Sequence, residues 1–305
     1  MARVPVVEEV EFASQGAVLR GRLYLRDARR PRPCVVMAHG TSATIGMVAD
    51  RYAAAFHAAG FAVLLYDHRG FGASGGEPRL EINPWIQARG YRDAVTHLSG
   101  HPGIDPHRIA LWGDSYSAGE ALVVGAVDPR PAAIIAQVPS CGRAPAPPDP
   151  DGELFTALAA TLEGGDVQGT PETTTGPLPV VSPDQLGSPS LLAPISAFRW
   201  FIEYGRRPGT GWENRVTRVL PPTPAPYHVG LATPHLRTPL LALIASDDEM
   251  VGSNPAIARA VIEAAPADKE ILEIQGGHFG ILWHPSPEFD RAADAQRDFL
   301  LRVLA

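Results

Sequence analysis

Two residue types that carry much of protein chemistry are nearly missing from this 305-residue chain: it has two cysteines and one lysine, Lys269. Two cysteines in a chain of this length cannot form a disulfide framework. Cys34 opens the apolar run Pro33 to Ala38 and Cys141 follows the run Ala133 to Val138, so both read as buried free thiols suited to a reducing compartment. The scarcity of lysine, beside abundant Pro and Gly, is explained as well by genomic base bias as by any physical demand. No run of 18 apolar residues exists, which leaves no candidate membrane span. The start, Met1 to Glu9, lacks a basic segment followed by an apolar one, so no secretory leader is expected and the default location is the cytoplasm. The net charge of −7, with no basic stripe, argues against a nucleic-acid surface. No His/Cys/Asp cluster has metal-ligand spacing, so neither a metal nor a cofactor is expected. There are no internal repeats.

What is present is ordinary for a globular protein: 45% hydrophobic and 19% charged residues. Residues 6–13 and 17–25 alternate apolar and polar around Gln15-Gly16, which predicts an antiparallel hairpin. Short apolar runs at 33–38, 61–66, 108–112, 132–138, 239–245 and 270–274 predict buried strands. Helical patterns lie between them: one around Tyr52 and Phe56, one from Pro84 to Leu98, one from Ser115 to Val127, one from Asn254 to Ala265, and a last from Glu288 to Leu304. Alternating strands and helices after an initial hairpin predict an α/β fold. Its sheet is doubly wound and mostly parallel, with one antiparallel edge.

Residues 141–235 break the rhythm. Pro-rich pieces (144–150 and 221–226) and a Gly/Thr/Pro stretch (164–179) surround helical segments at Leu154–Leu162 and Ile195–Tyr204. A structureless loop of that length is uncommon in a compact domain, so a helical cap or lid is expected here. Residues 1–140 and 236–305 then form the core.

Chemistry concentrates at Gly113-Asp114-Ser115-Tyr116-Ser117, between a buried strand and a helix. A small residue two before Ser115 permits a sharp turn that exposes the hydroxyl, and the helix N-terminus favours developing negative charge. Ser117 stands where Gly would complete a Gly-x-Ser-x-Gly pattern, so the pentapeptide is a weak signal alone; as a rival hydroxyl Ser117 is expected to face away. A serine hydroxyl needs a base. His278, in Gly276-Gly277-His278-Phe279, follows the last strand directly, whereas His101, His107, His228 and His235 lie in turn or Pro-rich contexts. The acid that orients the imidazole is sought in Ser246-Asp247-Asp248-Glu249, after another buried strand. Asp248, followed by the apolar pair Met250-Val251, fits best, with Asp247 the runner-up. Oxyanion donors are expected from the backbone N–H groups of Tyr116 and Thr41. His39 is expected to hold the Thr41 loop by hydrogen bonds.

Taken together, His39-Gly40, Asp67-His68-Arg69-Gly70-Phe71-Gly72-Ala73-Ser74, Gly113 to Ser117, Asp248 and Gly277-His278 resemble the α/β-hydrolase superfamily, in the right order. The likeness covers about 27–140 and 236–305, and is strongest to the bacterial branch near dienelactone hydrolases and polyketide-associated hydrolases. It implies a serine hydrolase acting on a carboxylic ester or thioester, with the Asp67 turn structural. Two other outcomes stay open: acyl transfer or lactone chemistry through the same triad, and a non-catalytic binder on the same fold. The aromatic residues Phe198, Trp200, Phe201, Tyr204 and Trp212 suit either a large, partly apolar acyl substrate or simple packing of the insert onto the body. The sequence leaves the oligomeric state and the acyl group open.

Overall fold

The computed structural model describes residues 6–25 and 30–304. Met1 to Pro5, the start of the stretch that bears on a secretory leader, lie outside the described residues.

The period-two pattern near the N-terminus gives β1 (Val6–Ser14) and β2 (Ala17–Leu25), an antiparallel hairpin. The chain then alternates through β3 (Arg32–Ala38), α1 (Ala49–Ala59), β4 (Ala62–Tyr66), a two-residue β5 (Glu81–Ile82), α2 (Pro84–Ser99), β6 (Ile104–Asp114), α3 (Ser115–Val127) and β7 (Ala133–Gln137). Residues 141–235 hold α4 (Glu153–Gly164), β8 (Thr174–Leu178), α5 (Ile195–Gly205), β9 (Val216–Val219) and α6 (Val229–Ala232). Alternation resumes with β10 (Leu240–Ala245), α7 (Pro255–Glu263), β11 (Lys269–Ile274) and α8 (Pro287–Leu304).

Eight strands form one sheet in the order β1-β2-β4-β3-β6-β7-β10-β11. Every neighbouring pair from β4 to β11 is parallel, and the β1–β2 hairpin is the antiparallel edge. The inner strands are covered on both faces, which is why they read as continuous apolar runs; all of β4, β7 and β10 is buried. One face packs against α2, α3 and α7 through Trp85, Tyr91, Leu122 and Ile262. The other packs against α1 and α8 through Tyr52, Phe56, Phe289 and Phe299. A buried amide chain ties α8 to the sheet: Trp112 Nε1 donates to Gln296 Oε1 at 2.6 Å, and Gln296 Nε2 donates to Gln137 Oε1 at 2.6 Å. Among the described residues no helix is long and apolar enough to cross a membrane.

The stretch 141–235 departs from a purely helical expectation. It carries the helices at Leu154 and Ile195 but also β8 and β9, which join β5 in a separate three-stranded sheet ordered β5-β9-β8. These strands are short, and β8 is interrupted by Gly176-Pro177, so no period-two signal survives in them. Both cysteines are free and buried, and burial pushes each thiol up to about 12.

Candidate active site

In an open parallel sheet, the loops after the strands gather at one edge, and a cleft opens where the winding direction reverses. Here β3 leads outward to β4, while its other neighbour is β6. The loops after β3, β6, β7, β10 and β11 therefore stand side by side in that order. They carry Thr41, Ser115, Ser140, Asp248 and His278 respectively.

Ser115 starts α3 with φ of 54°, in the left-handed region that a non-glycine residue rarely occupies. Strain of that kind persists only where the surroundings hold it. Two glycines make room for the turn. A side chain at Gly113 would meet the Ser117 carbonyl at 2.4 Å, and one at Gly40 would meet the Asp114 carbonyl at 2.4 Å and the Ser115 Cβ at 2.9 Å. The same contact at Gly40 shows how closely the loop after β3 lies against the turn. Thr41, at φ of 43°, follows immediately, and its backbone N–H has no hydrogen-bond partner among the described residues. Tyr116 is the second residue of α3, so its N–H is among the first four that a helix leaves without an internal acceptor.

Buried polar groups beneath the turn fix these two loops. His39 Nε2 donates to the Met47 carbonyl at 2.8 Å, and its Nδ1 lies 2.8 Å from Asp114 Oδ1. Gly40 N–H donates to the same Asp114 oxygen at 2.9 Å. Burial opposes a charge on His39, but the Asp114 carboxylate outweighs it and raises the imidazole pKa. His39 thus holds the loop, as its position before Gly40 predicts. Ser117 points inward: its hydroxyl donates to the His39 carbonyl at 2.8 Å and lies 2.8 Å from His68 Nε2 and 3.2 Å from Glu120 Oε2. Burial, with the nearby His39, lowers His68 to about 3, and burial raises Glu120 well above the carboxylate range. This serine is a structural pin, completely buried. The Asp67 turn is structural too. Its carboxylate accepts from Ile45 N–H at 2.9 Å and Ala73 N–H at 3.0 Å, while burial pushes its pKa up to about 6.

On the other side, His278 Nδ1 lies 2.7 Å from Asp248 Oδ2, and both side chains are 2% exposed. An ionised carboxylate only accepts, so Nδ1 is the donor and Nε2 keeps its lone pair. Asp247 is exposed, pairs with Ser246 Oγ at 2.8 Å and does not reach the imidazole. Glu249 has a place that its sequence context does not reveal. Its Oε2 accepts from the His278 N–H at 2.8 Å, and its Oε1 accepts from the hydroxyl of Ser196 on α5. The same helix grips the rest of the histidine loop. Trp200 Nε1 donates to the Leu282 carbonyl at 2.8 Å, and Tyr204 Oη accepts from His284 N–H at 2.9 Å. Trp200 and Phe201 also pack on Phe279, with ring centroids 5.4 and 6.3 Å apart. Ser140 links the two sides: its N–H donates to the Ser115 carbonyl at 2.9 Å and its hydroxyl to the Gly252 carbonyl at 3.4 Å.

A cavity of about 450 Å³ opens in front of the turn. Ser115, Tyr116 and Thr41 line it, whereas His278 and Asp248 are not among its lining residues. Its apolar lining includes Ile82, Leu191, Leu192, Val229 and Met250. None of Phe198, Trp200, Phe201, Tyr204 and Trp212 reaches it. Those aromatics pack the insert onto the body, three of them buried there, so the apolar surface for a substrate comes from other residues.

A doubly wound sheet of this order, with a strained serine at a central strand–helix turn, defines an α/β-hydrolase fold. The fold of the chain is that of the α/β hydrolases. A family profile described as serine aminopeptidase, S33, matches residues 29–165. The thiohydrolase apmlB of Arthrinium phaeospermum is 43% identical over 134 residues, which is 44% of this chain and 43% of that protein's length. The quorum-quenching protein AidA of Acinetobacter baumannii is 27% identical over 301 residues, 97% of this chain and 95% of that one. The crystal structure of the α/β hydrolase GrgF from Penicillium sp. sh18 superposes with a TM-score of 0.73 at 24% identity, covering 98% of this chain and 99% of that one.

Proposed function

We propose that this protein is a serine hydrolase that cleaves an ester or thioester through an acyl-enzyme on Ser115. The observation that carries the reading is the strained Ser115 facing the cavity, with the Asp248–His278 pair at 2.7 Å on neighbouring loops of the same sheet edge. His278 Nε2 takes the proton as Ser115 Oγ attacks the carbonyl carbon. Asp248 holds the imidazole tautomer and stabilises the imidazolium. The Thr41 and Tyr116 N–H groups receive the oxyanion. His278 then protonates the leaving alcohol or thiol, and the acyl group stays on Ser115. A water that gives its proton to His278 releases the acid and restores the serine. The name of the thiohydrolase relative supports thioesters in particular. Residues 141–235, whose Leu191, Leu192, Arg218 and Val229 line the cavity, act as a cap that shapes the acyl pocket. The free buried thiols favour a cytoplasmic setting.

A fluorophosphonate probe followed by peptide mass mapping tests the nucleophile. Labelling of Ser115 is expected. An unlabelled Ser115 together with full activity in Ser115→Ala would overturn the mechanism. Adding hydroxylamine during turnover then reads the acceptor: hydroxamate formed in competition with acid shows an acyl-enzyme open to nucleophiles other than water.

A further inference from the structure

The chain carries a net charge of −7, yet the cavity in front of Ser115 has the opposite character. No Asp or Glu contributes to its lining, while Arg143 and Arg218 both do. The cavity's histidine does not change this balance. His228 accepts from Gly230 N–H at Nδ1 (3.0 Å) and faces the Ala144 carbonyl with Nε2 (3.1 Å), so both ring nitrogens are engaged within its own surroundings.

Arg218 is the better placed of the two arginines. It sits in β9, the middle strand of the small sheet, with its Cα paired to Ile82 on one side and Thr175 on the other. It is half-buried, and it has no hydrogen bond or ion pair to a carboxylate among the described residues. Arg20, Arg22, Arg108, Arg207, Arg259 and Arg302 each pair with an acid, and the arginines without such a pair at 199, 206, 237 and 291 are exposed rather than half-buried. Its charge reaches the phenol of Tyr116, the residue after the nucleophile. A guanidinium on a fixed strand, partly withdrawn from water and lacking a counter-ion, is a ready partner for a carboxylate or phosphate.

We infer that Arg218, assisted by Arg143 at the cavity wall, forms an anion subsite, and that the substrate cleaved at Ser115 carries a carboxylate or a phosphate. This rests on the reading of Ser115 as nucleophile. The anion has two sources: a carboxylate at the far end of the acyl chain, or a phosphate on the leaving thiol. Both meet the guanidinium through the same charge-assisted hydrogen bonds.

Two matched substrate pairs separate the sources. Mono-p-nitrophenyl glutarate against p-nitrophenyl pentanoate places or omits a carboxylate on the acyl side. Butanoyl-coenzyme A against the butanoyl thioester of N-acetylcysteamine places or omits phosphate on the leaving side. The anionic member of at least one pair is expected to have kcat/KM higher by roughly tenfold to a hundredfold, the usual worth of a charged hydrogen bond. In Arg218→Gln that ratio falls to within about threefold of unity, and in wild type it shrinks as ionic strength rises. A ratio near one for both pairs in wild type overturns the proposal, as does a preference that survives Arg218→Gln. Fluorophosphonate labelling keeps the two readings apart: labelled Ser115 with no anionic preference sinks the subsite alone. Should Ser115 stay unlabelled, calorimetric titration of coenzyme A and of glutarate into wild type and Arg218→Gln decides the subsite without turnover. Binding of either anion weakened about tenfold or more by the substitution supports it; equal affinities, or none, overturn it.

Discussion

The two sides of the candidate site are held by different means. On the side proposed to supply the nucleophile, Ser115 is positioned by the centre of the fold: β3, β6 and α3 press together at Gly40 and Gly113, and a buried set of His39, Asp114, Ser117, His68 and Glu120 locks the turn from below. On the acid–base side, Asp248 and His278 sit on loops near the edge of the sheet. Their anchor comes from α5 of the inserted segment through Ser196, Trp200 and Tyr204. The first arrangement is internal to the sheet. The second depends on a piece of chain far away in sequence, and Glu249 is the joint between them. Residues that line the cavity and residues that hold the His278 loop thereby belong to one stretch of chain.

The largest effects should come from removing the groups proposed to react. Ser115→Ala and His278→Ala are each expected to lower kcat by roughly 10⁶-fold, with the double variant no worse, measured on a p-nitrophenyl ester. Such non-additivity would show that the two differently held sides act as one unit; additive losses would break that unity. Asp248→Asn should cost about 10⁴-fold in kcat, because the amide N–H can donate to Nδ1 and hold the wrong imidazole tautomer, and no charge is left to stabilise the imidazolium. Asp247→Asn, on an exposed side chain, should stay within about threefold by the same assay.

A sharper test of the joint is Glu249→Gln. It keeps the size of the side chain but has one acceptor oxygen where two donors, His278 N–H and Ser196 Oγ, now bind. A roughly tenfold fall in kcat with KM little changed is expected, since small misplacements of a reacting group are costly. Hydrogen exchange should quicken at residues 278–284 and stay the same at 115–118. Equal quickening on both sides would erase the distinction drawn between them.

The smallest effect belongs beneath the nucleophile. Burial raises Glu120 well above its ordinary range, so the folded protein keeps a proton there that the unfolded chain gives up. Folded stability therefore declines as pH rises from about 4.5 towards the folded pKa, by up to about 1.4 kcal/mol per pH unit for one proton. Glu120→Gln, a neutral isostere of the acid form, should flatten that slope in urea denaturation while changing stability at pH 5 by less than about 1 kcal/mol.

Much of the fold is legible in the amino-acid sequence, because the sheet is made of contiguous apolar runs and its helices of amphipathic ones. Strands such as 33–38 and 239–245, and the helix from Ser115 to Val127, lie within a residue or two of their places. What escapes is what depends on distant partners. The acids Asp247 and Asp248 are alike in composition; the position of Asp248 before Met250-Val251 favours it, but the contact with His278 is made only by the turn after β10. Glu249 looks like a third solvated acid, since nothing near it in sequence announces the His278 amide. The five aromatics of the insert carry no mark that distinguishes a pocket wall from packing; Trp200 and Tyr204 prove to hold a loop. β8 and β9 take their partners from each other and from residues 81–82, so neither has a local signature.

That last pairing bears on engineering. Glu81 and Ile82 belong by position to the body of the protein, yet they hydrogen-bond along β9. Residues 141–235 are thus sewn to the rest by backbone pairing as well as by the side-chain bonds of α5 and their two chain connections. A chimera that exchanges residues 141–235 alone between relatives would sever that pairing and leave a bare strand edge beside the pocket. A graft that carries residues 81–82 along preserves it, and should yield the better-folded hybrid.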